Sequence, residues 1–129
     1  MAATVPLPWP ERLVLALAAL AGFLGVVLSA AAAHLQAGPS LSTAAQFLLF
    51  HAAALTGLVA LAASGRLDLR VLRAAGLALV LGLVLFCGDL AVRSLAGVAL
   101  VPMAAPTGGV LLMAGWVLAG LAAAILPRR

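Results

Sequence analysis

The sequence predicts an all-α membrane protein, a bundle of four transmembrane helices in a single domain that covers residues 1–129. Of these 129 residues, 67% are hydrophobic and only 8% are charged, whereas soluble domains are about a quarter charged. A transmembrane helix needs about 20 predominantly apolar residues, and four such windows follow one another along the chain. Together these observations exclude a water-soluble globular domain.

The first predicted span covers residues 13–35 and follows a short head that contains Glu11 and Arg12. Its apolar run is longer than the ~7 to 15 residues of a secretory signal core, so we expect it to remain in the protein. A short polar connection follows, in which Gly38 and Pro39 favour a tight turn.

The second predicted span covers residues 44–64. Thr43, with Gln46 three residues later, fits a capping box, in which the hydroxyl and the amide group each satisfy a free N–H at the start of a helix. The following residues 65–70 (GRLDLR) form a predicted charged turn.

The third and fourth predicted spans cover residues 71–91 and 106–126. The connection between them is partly apolar and contains Gly97 and Pro102. Pro106 suits the first turn of the fourth span, because the N–H that proline lacks has no helical partner there.

The arginines predict the orientation of the chain. All seven basic residues are arginine, and six of them lie in the head, around the second connection or in the tail. Under the positive-inside rule, we expect both termini of this multi-pass protein to lie in the cytoplasm. Topology thus explains the net charge of +4 without nucleic-acid binding. Arg66, Arg70 and Arg73 also suit anionic lipid headgroups, although topology alone accounts for them.

Small residues recur at every fourth position in each span, on one face of each helix. Membrane helices associate through close approach at such residues, which favours a compact bundle. An alanine-rich chain also produces stripes of this kind by chance. The stripes are Ala21, Gly25, Ser29 and Ala33; Ala52, Thr56, Ala60 and Ser64; Ala74, Ala78 and Gly82; and Gly115, Ala119 and Ala123.

Polar residues are concentrated in the half of the bundle that is predicted to face outward. An ionisable residue inside a span is costly and is therefore a candidate functional residue. His51 lies at the predicted depth of Trp116, whose N–H we expect to bind it. Asp89 and Arg93 have the i, i+4 spacing of an ion pair. The candidate cluster contains His34, His51, Asp89, Arg93, Thr107 and Trp116, with Cys87 at a similar level.

Four interpretations of this cluster remain open. The polar groups stabilise the bundle through internal hydrogen bonds, or two histidines, a carboxylate and a thiol bind a Zn²⁺ or copper ion. Alternatively, histidine and aspartate relay protons or line a path for a small solute. The fourth interpretation is a binding surface for a lipid or another membrane subunit.

Four short motifs follow one another along the chain. They are residues 29–34 (SAAAAH), Phe50 with His51, residues 82–90 (GLVLFCGDL), and residues 105–109 (APTGG) with Ala114, Gly115 and Trp116. In this order they resemble the small bacterial inner-membrane proteins of the YgdD type, which form domain-of-unknown-function family 423 and whose eukaryotic relatives are called transmembrane protein 256. The resemblance implies a four-helix protein of the bacterial inner membrane without an established biochemical activity.

The sequence departs from the pattern of this family at three places. Alanines replace the family's glycines before His34, Leu48 stands where a polar residue is common, and Asp89 replaces a serine. The apolar Leu48 weakens the metal interpretation, because one possible ligand is absent. Asp89 with Arg93 suggests an ion pair particular to this branch of the family.

No motif of a hydrolase, a metalloprotease or a dinucleotide-binding enzyme occurs in the sequence. We therefore expect no enzyme activity, no catalytic residues and no cofactor or metal. The expected function is that of a small structural or accessory component of a membrane assembly. Its partners would be the lipid bilayer and either other membrane subunits or further copies of the chain. The alternative is a protein that handles a small solute, protons or a metal through His34, His51 and Asp89.

Overall fold

The computed structural model describes residues 5–35 and 37–125, which form four α-helices and contain no strand. Each helix is long and apolar enough to cross a membrane. The predicted all-α fold with four membrane-spanning helices is confirmed. The helices are α1 (Trp9–His34), α2 (Gly38–Ser64), α3 (Leu69–Ala96) and α4 (Ala104–Ala124).

The start of α2 differs from the sequence prediction. This helix begins at Gly38, because Pro39 lies in the first turn, where a proline costs no hydrogen bond. Thr43 is therefore inside the helix, and its hydroxyl donates to the carbonyl oxygen of Pro39 at 3.1 Å. The predicted capping box of Thr43 and Gln46 is wrong.

The start of α3 follows an ordinary capping rule, whereas α4 begins after Met103, which has a left-handed φ of 64° and makes no side-chain cap. Asp68 is the N-cap of α3, and its carboxylate accepts the backbone N–H groups of Arg70 and Val71 at 3.0 and 3.1 Å. The negative charge also favours the positive end of the helix dipole. Pro106 lies in the first turn of α4, as predicted. The end of the fourth predicted span, at residue 126, lies outside the described residues.

The four helices form two hairpins that lie side by side. α1 packs along α2, α3 packs along α4, and the hairpins meet where α2 contacts α3. α1 and α3 approach each other much less closely. Leucine and alanine side chains of all four helices form the core, which contains Ala18, Ala44, Leu48, Leu55, Leu79, Leu83 and Leu112.

Glycine residues bring α3 and α4 into close contact. A Cβ atom added to Gly108 would meet the backbone nitrogen of Phe86, and one added to Gly82 would lie 2.9 Å from the carbonyl oxygen of Gly108. No side chain fits at such distances, because the obstructing atoms belong to the backbone. Gly115 packs mainly against the side chain of Leu79, whose Cγ and Cδ2 would lie 2.7 Å from an added Cβ atom.

The predicted stripes of small residues are only partly buried. Gly25, Gly82 and Gly115 lie between helices, as expected. In the same stripes, however, seven residues are exposed, and for them the packing prediction is wrong: Ser29, Ala33, Thr56, Ala60, Ser64, Ala74 and Ala123. A repeat of four residues occurs on several faces of an alanine-rich helix, and the face of α2 that is buried is a different one. The buried face of α2 contains Leu41, Ala44, Ala45, Leu48, His51, Leu55 and Val59.

Candidate functional site

The centre of the candidate site is a hydrogen bond between α2 and α4. The indole Nε1–H of Trp116 donates to Nε2 of His51 at 3.1 Å, which confirms the contact expected from their equal depth. Nδ1 of His51 lies 2.8 Å from the carbonyl oxygen of Phe47, one turn earlier in α2. Because this carbonyl can only accept, we assign the proton of the neutral imidazole to Nδ1. Both ring nitrogens are therefore bound within the protein.

Aromatic rings surround this hydrogen bond. Phe47 stacks on His51 with 5.7 Å between the ring centroids. Phe47 also contacts Phe86, with 4.8 Å between their ring centroids. His51 is buried, whereas Trp116 is 53% exposed. Trp116 thus keeps its N–H inside the bundle while much of its ring surface faces outward.

Asp89 holds the connection between α3 and α4 in place. It is fully buried, and its Oδ2 accepts from Nε of Arg93 at 2.6 Å, so the predicted ion pair is confirmed. Its Oδ1 accepts the backbone N–H of Leu100 at 2.8 Å. Gly97 ends α3 in the left-handed conformation, with φ of 72°, and the connection that follows it brings Leu100 to Asp89.

The other candidate residues lie apart from these contacts. His34 is exposed at the end of α1, and Thr107 is exposed in the first turn of α4. Cys87 is a free thiol buried in the core. Within residues 5–35 and 37–125, no three His, Cys, Asp or Glu side chains lie close enough together to hold a metal ion. The predicted cluster contains two hydrogen-bonded units, His51 with Trp116 and Asp89 with Arg93.

A second ion pair lies at the opposite end of the bundle, where α1 and α3 begin. We call this the arginine-rich end, after its arginines 12, 66, 70 and 73. Nε and Nη2 of Arg73 donate to Oε1 and Oε2 of Glu11 at 2.8 and 3.2 Å. Glu11 is 4% exposed. This fork-like geometry is the strong form of an arginine–carboxylate contact.

The sequence does not predict this pair, because Glu11 and Arg73 are 62 residues apart and no local spacing links them. One signal was present in the composition. Glu11 is the chain's single glutamate, and it lies on the side of the membrane to which the positive-inside rule assigns six arginines. An acid in that position has several candidate cations, and only the packing of α1 beside α3 selects Arg73.

The polar side chains of the bundle are therefore used in internal contacts. Every buried side-chain nitrogen or oxygen in the described part of the chain has a hydrogen-bond partner. The contacts join α2 to α4, α1 to α3, and α3 to its following connection. Chemically, this arrangement can hold helices in register, and His51 has no unbound nitrogen left to ligate a metal.

Comparison with known proteins places the chain in a family. The model of the family described as "Protein of unknown function (DUF423)" matches residues 28–109, which is more than half of the chain. The matched range contains His34, His51, Asp89 and Gly108, but neither Glu11 nor Trp116. No curated protein and no solved structure matches the chain. The chain belongs to the DUF423 family of proteins of unknown function.

Proposed function

We propose that this chain is a small structural or accessory component of a membrane assembly in the bacterial inner membrane. The observation that carries the proposal is the internal use of the buried polar groups, each of which has a hydrogen-bond partner among the described residues. His51, Asp89 and Glu11 all stabilise contacts within the fold. The chain then contributes a packing surface to the assembly, and no reaction is required of it.

The outward face of α2 is the surface on which we expect a partner helix to pack. Phe50 is 67% exposed, and Ala53, Gly57 and Ser64 are exposed further along the same helix. A Cβ atom on Gly57 would meet no other atom within 4 Å. Small side chains allow the backbone of a neighbouring membrane helix to approach closely. The partner is a helix of another membrane subunit or of a second copy.

Site-specific photo-crosslinking in native membranes tests this proposal with a matched pair of positions. Phe50 in α2 and Phe23 in α1 are the same residue type and are 67% and 65% exposed. A photoreactive phenylalanine at position 50 should give a discrete protein adduct, whereas one at position 23 should give lipid adducts. The proposal is contradicted if both positions give lipid adducts alone and the protein purifies without a partner or second copy at every expression level.

The proposed orientation, with both termini in the cytoplasm, has a separate test. Ser40 and Ser64 lie at opposite ends of α2, so cysteines at these positions report opposite sides of the membrane. With Cys87 replaced by alanine, an impermeant thiol reagent added from outside should label Ser40→Cys and leave Ser64→Cys unlabelled. The reverse pattern overturns the orientation and leaves the fold unaffected.

A further inference from the structure

An apolar groove runs between α1 and α3, with α2 as its floor. One cavity of about 200 Å³ begins at the arginine-rich end, and a second of about 380 Å³ continues it toward the opposite end. Both are lined by Leu17 of α1 and Val80 of α3, so they form one continuous groove. Leu77 and Val84 at its edge are 59% and 60% exposed. The groove therefore opens sideways, toward the hydrocarbon of a surrounding bilayer.

The ion pair of Glu11 and Arg73 bridges the groove at its arginine-rich end, and both residues line the first cavity. A guanidinium group has five N–H donors, and Glu11 accepts two of them. The other three have no partner among the described residues, and the side chain of Arg73 is 44% exposed. Arg70, one turn earlier, is also exposed. Outward N–H donors of Arg73 thus remain at the mouth, and the four arginines of this end outnumber its two carboxylates, Glu11 and Asp68.

We propose that this groove binds an acyl chain of an anionic phospholipid, whose phosphate accepts hydrogen bonds from the outward N–H groups of Arg73. Guanidinium donors match the geometry of a phosphate group. Along α3, the first cavity extends from Arg73 to Val80. This is about 10 Å at ~1.5 Å per residue, so an acyl chain in this cavity would run through most of the ~15 Å depth of one leaflet. Trp9, 70% exposed at the same end, occupies the interfacial position typical of tryptophan.

The ion pair also selects an acyl chain over a protein helix as the occupant. A helix with side chains is about 10 Å wide, and one lying between α1 and α3 would have to separate atoms that are 2.8 Å apart in Glu11 and Arg73. A single acyl chain fits beneath this bridge and leaves it intact. The anionic headgroup is selected mainly by the outward N–H donors of Arg73, and the positive charge of Arg70 adds a smaller attraction.

Native mass spectrometry of the purified full-length protein tests the proposal with two lipids of identical chains, palmitoyl-oleoyl phosphatidylglycerol and palmitoyl-oleoyl phosphatidylcholine. Gly76 lines the groove, and a Cβ atom there meets nothing within 4 Å. A Gly76→Leu variant should therefore fold and fill the groove. Gly120, which is equally unobstructed but lies outside the groove in α4, supplies the matched control Gly120→Leu.

We expect the unaltered protein and Gly120→Leu to retain phosphatidylglycerol at least fivefold more strongly than phosphatidylcholine. Retention of phosphatidylglycerol by Gly76→Leu should be at least fivefold lower than by the unaltered protein, while the variant elutes as the same folded species. The double variant Glu11→Gln with Arg73→Gln should retain both lipids equally, whereas Arg70→Gln should keep most of the preference. Equal retention of the two lipids by the unaltered protein, or undiminished retention by Gly76→Leu, overturns the proposal. Replacement of lipid by a second copy in the groove would overturn it as well.

Discussion

Glycine has opposite structural effects in two regions of the molecule, the contact between α3 and α4 and the gap between α1 and α3. At Gly108, a Cβ atom would meet the backbone of α3, so the missing side chain allows two helices to touch. At Gly76, a Cβ atom would meet nothing within 4 Å, so the missing side chain leaves an apolar groove. A glycine in a membrane helix thus either admits a neighbouring backbone or opens space for lipid. Only the position of the neighbouring helix decides between these two roles.

The largest effect on stability is expected for Gly108→Ala. The added methyl group meets the backbone of Phe86, which cannot rotate away as a side chain can. Separation of α3 from α4 should lower the free energy of unfolding by about 3 kcal/mol, the upper part of the usual range for overpacking. The measurement is SDS titration of the protein in mild-detergent micelles, followed by tryptophan fluorescence and circular dichroism. Gly120→Ala serves as the control, and equal unfolding midpoints for the two variants would refute the close contact.

An intermediate effect is expected at Asp89, whose two contacts are unequal. Asp89→Ala leaves the backbone N–H of Leu100 without its acceptor, whereas Arg93→Ala removes a partner whose side chain is 50% exposed. Hydrogen–deuterium exchange should therefore accelerate in residues 97–103 for Asp89→Ala and change little for Arg93→Ala. Asp89→Asn should restore most of the protection, because an amide oxygen still accepts from Leu100. Equal acceleration of exchange in the two alanine variants would show that the ion pair alone holds the connection.

The smallest of these effects is expected for the hydrogen bond between His51 and Trp116. Trp116→Phe removes the indole donor and should lower the free energy of unfolding by about 1 kcal/mol, the usual net value of one hydrogen bond. A double-mutant cycle with His51→Leu isolates the coupling between the two side chains. The control is Trp9→Phe, at a position that is 70% exposed and should change stability little. A coupling of zero would mean that the two residues contribute separately.

The fold and two of the contacts could be predicted from the sequence because each depends on local information. Four apolar windows define the helices, and the i, i+4 spacing of Asp89 and Arg93 defines their ion pair. His51 and Trp116 could be paired because spans of known length place them at the same depth. In each case, the rise of a helix and the thickness of a membrane supply the geometry.

The remaining features depend on how the helices are rotated and which of them are neighbours. Glu11 and Arg73 could not be paired without knowing that α1 starts beside α3. The spacing of four residues in the stripe with Thr56 and Ala60 does not say which face of α2 is buried, so the sequence could not identify the buried face. Nothing in the sequence distinguishes Gly76, which opens the groove, from a glycine such as Gly108 that packs against another helix.

The measurement that tests the central claim most directly is a side-by-side comparison of Gly76→Ala and Gly108→Ala in the same SDS titration. Gly108→Ala should lose about 3 kcal/mol of unfolding free energy, because its methyl group has no space. Gly76→Ala should be unchanged or more stable by up to about 1 kcal/mol, because the methyl group meets no protein atom in the open groove and alanine favours a helix. Equal losses in the two variants would contradict the distinction between a tight α3–α4 contact and an open α1–α3 groove.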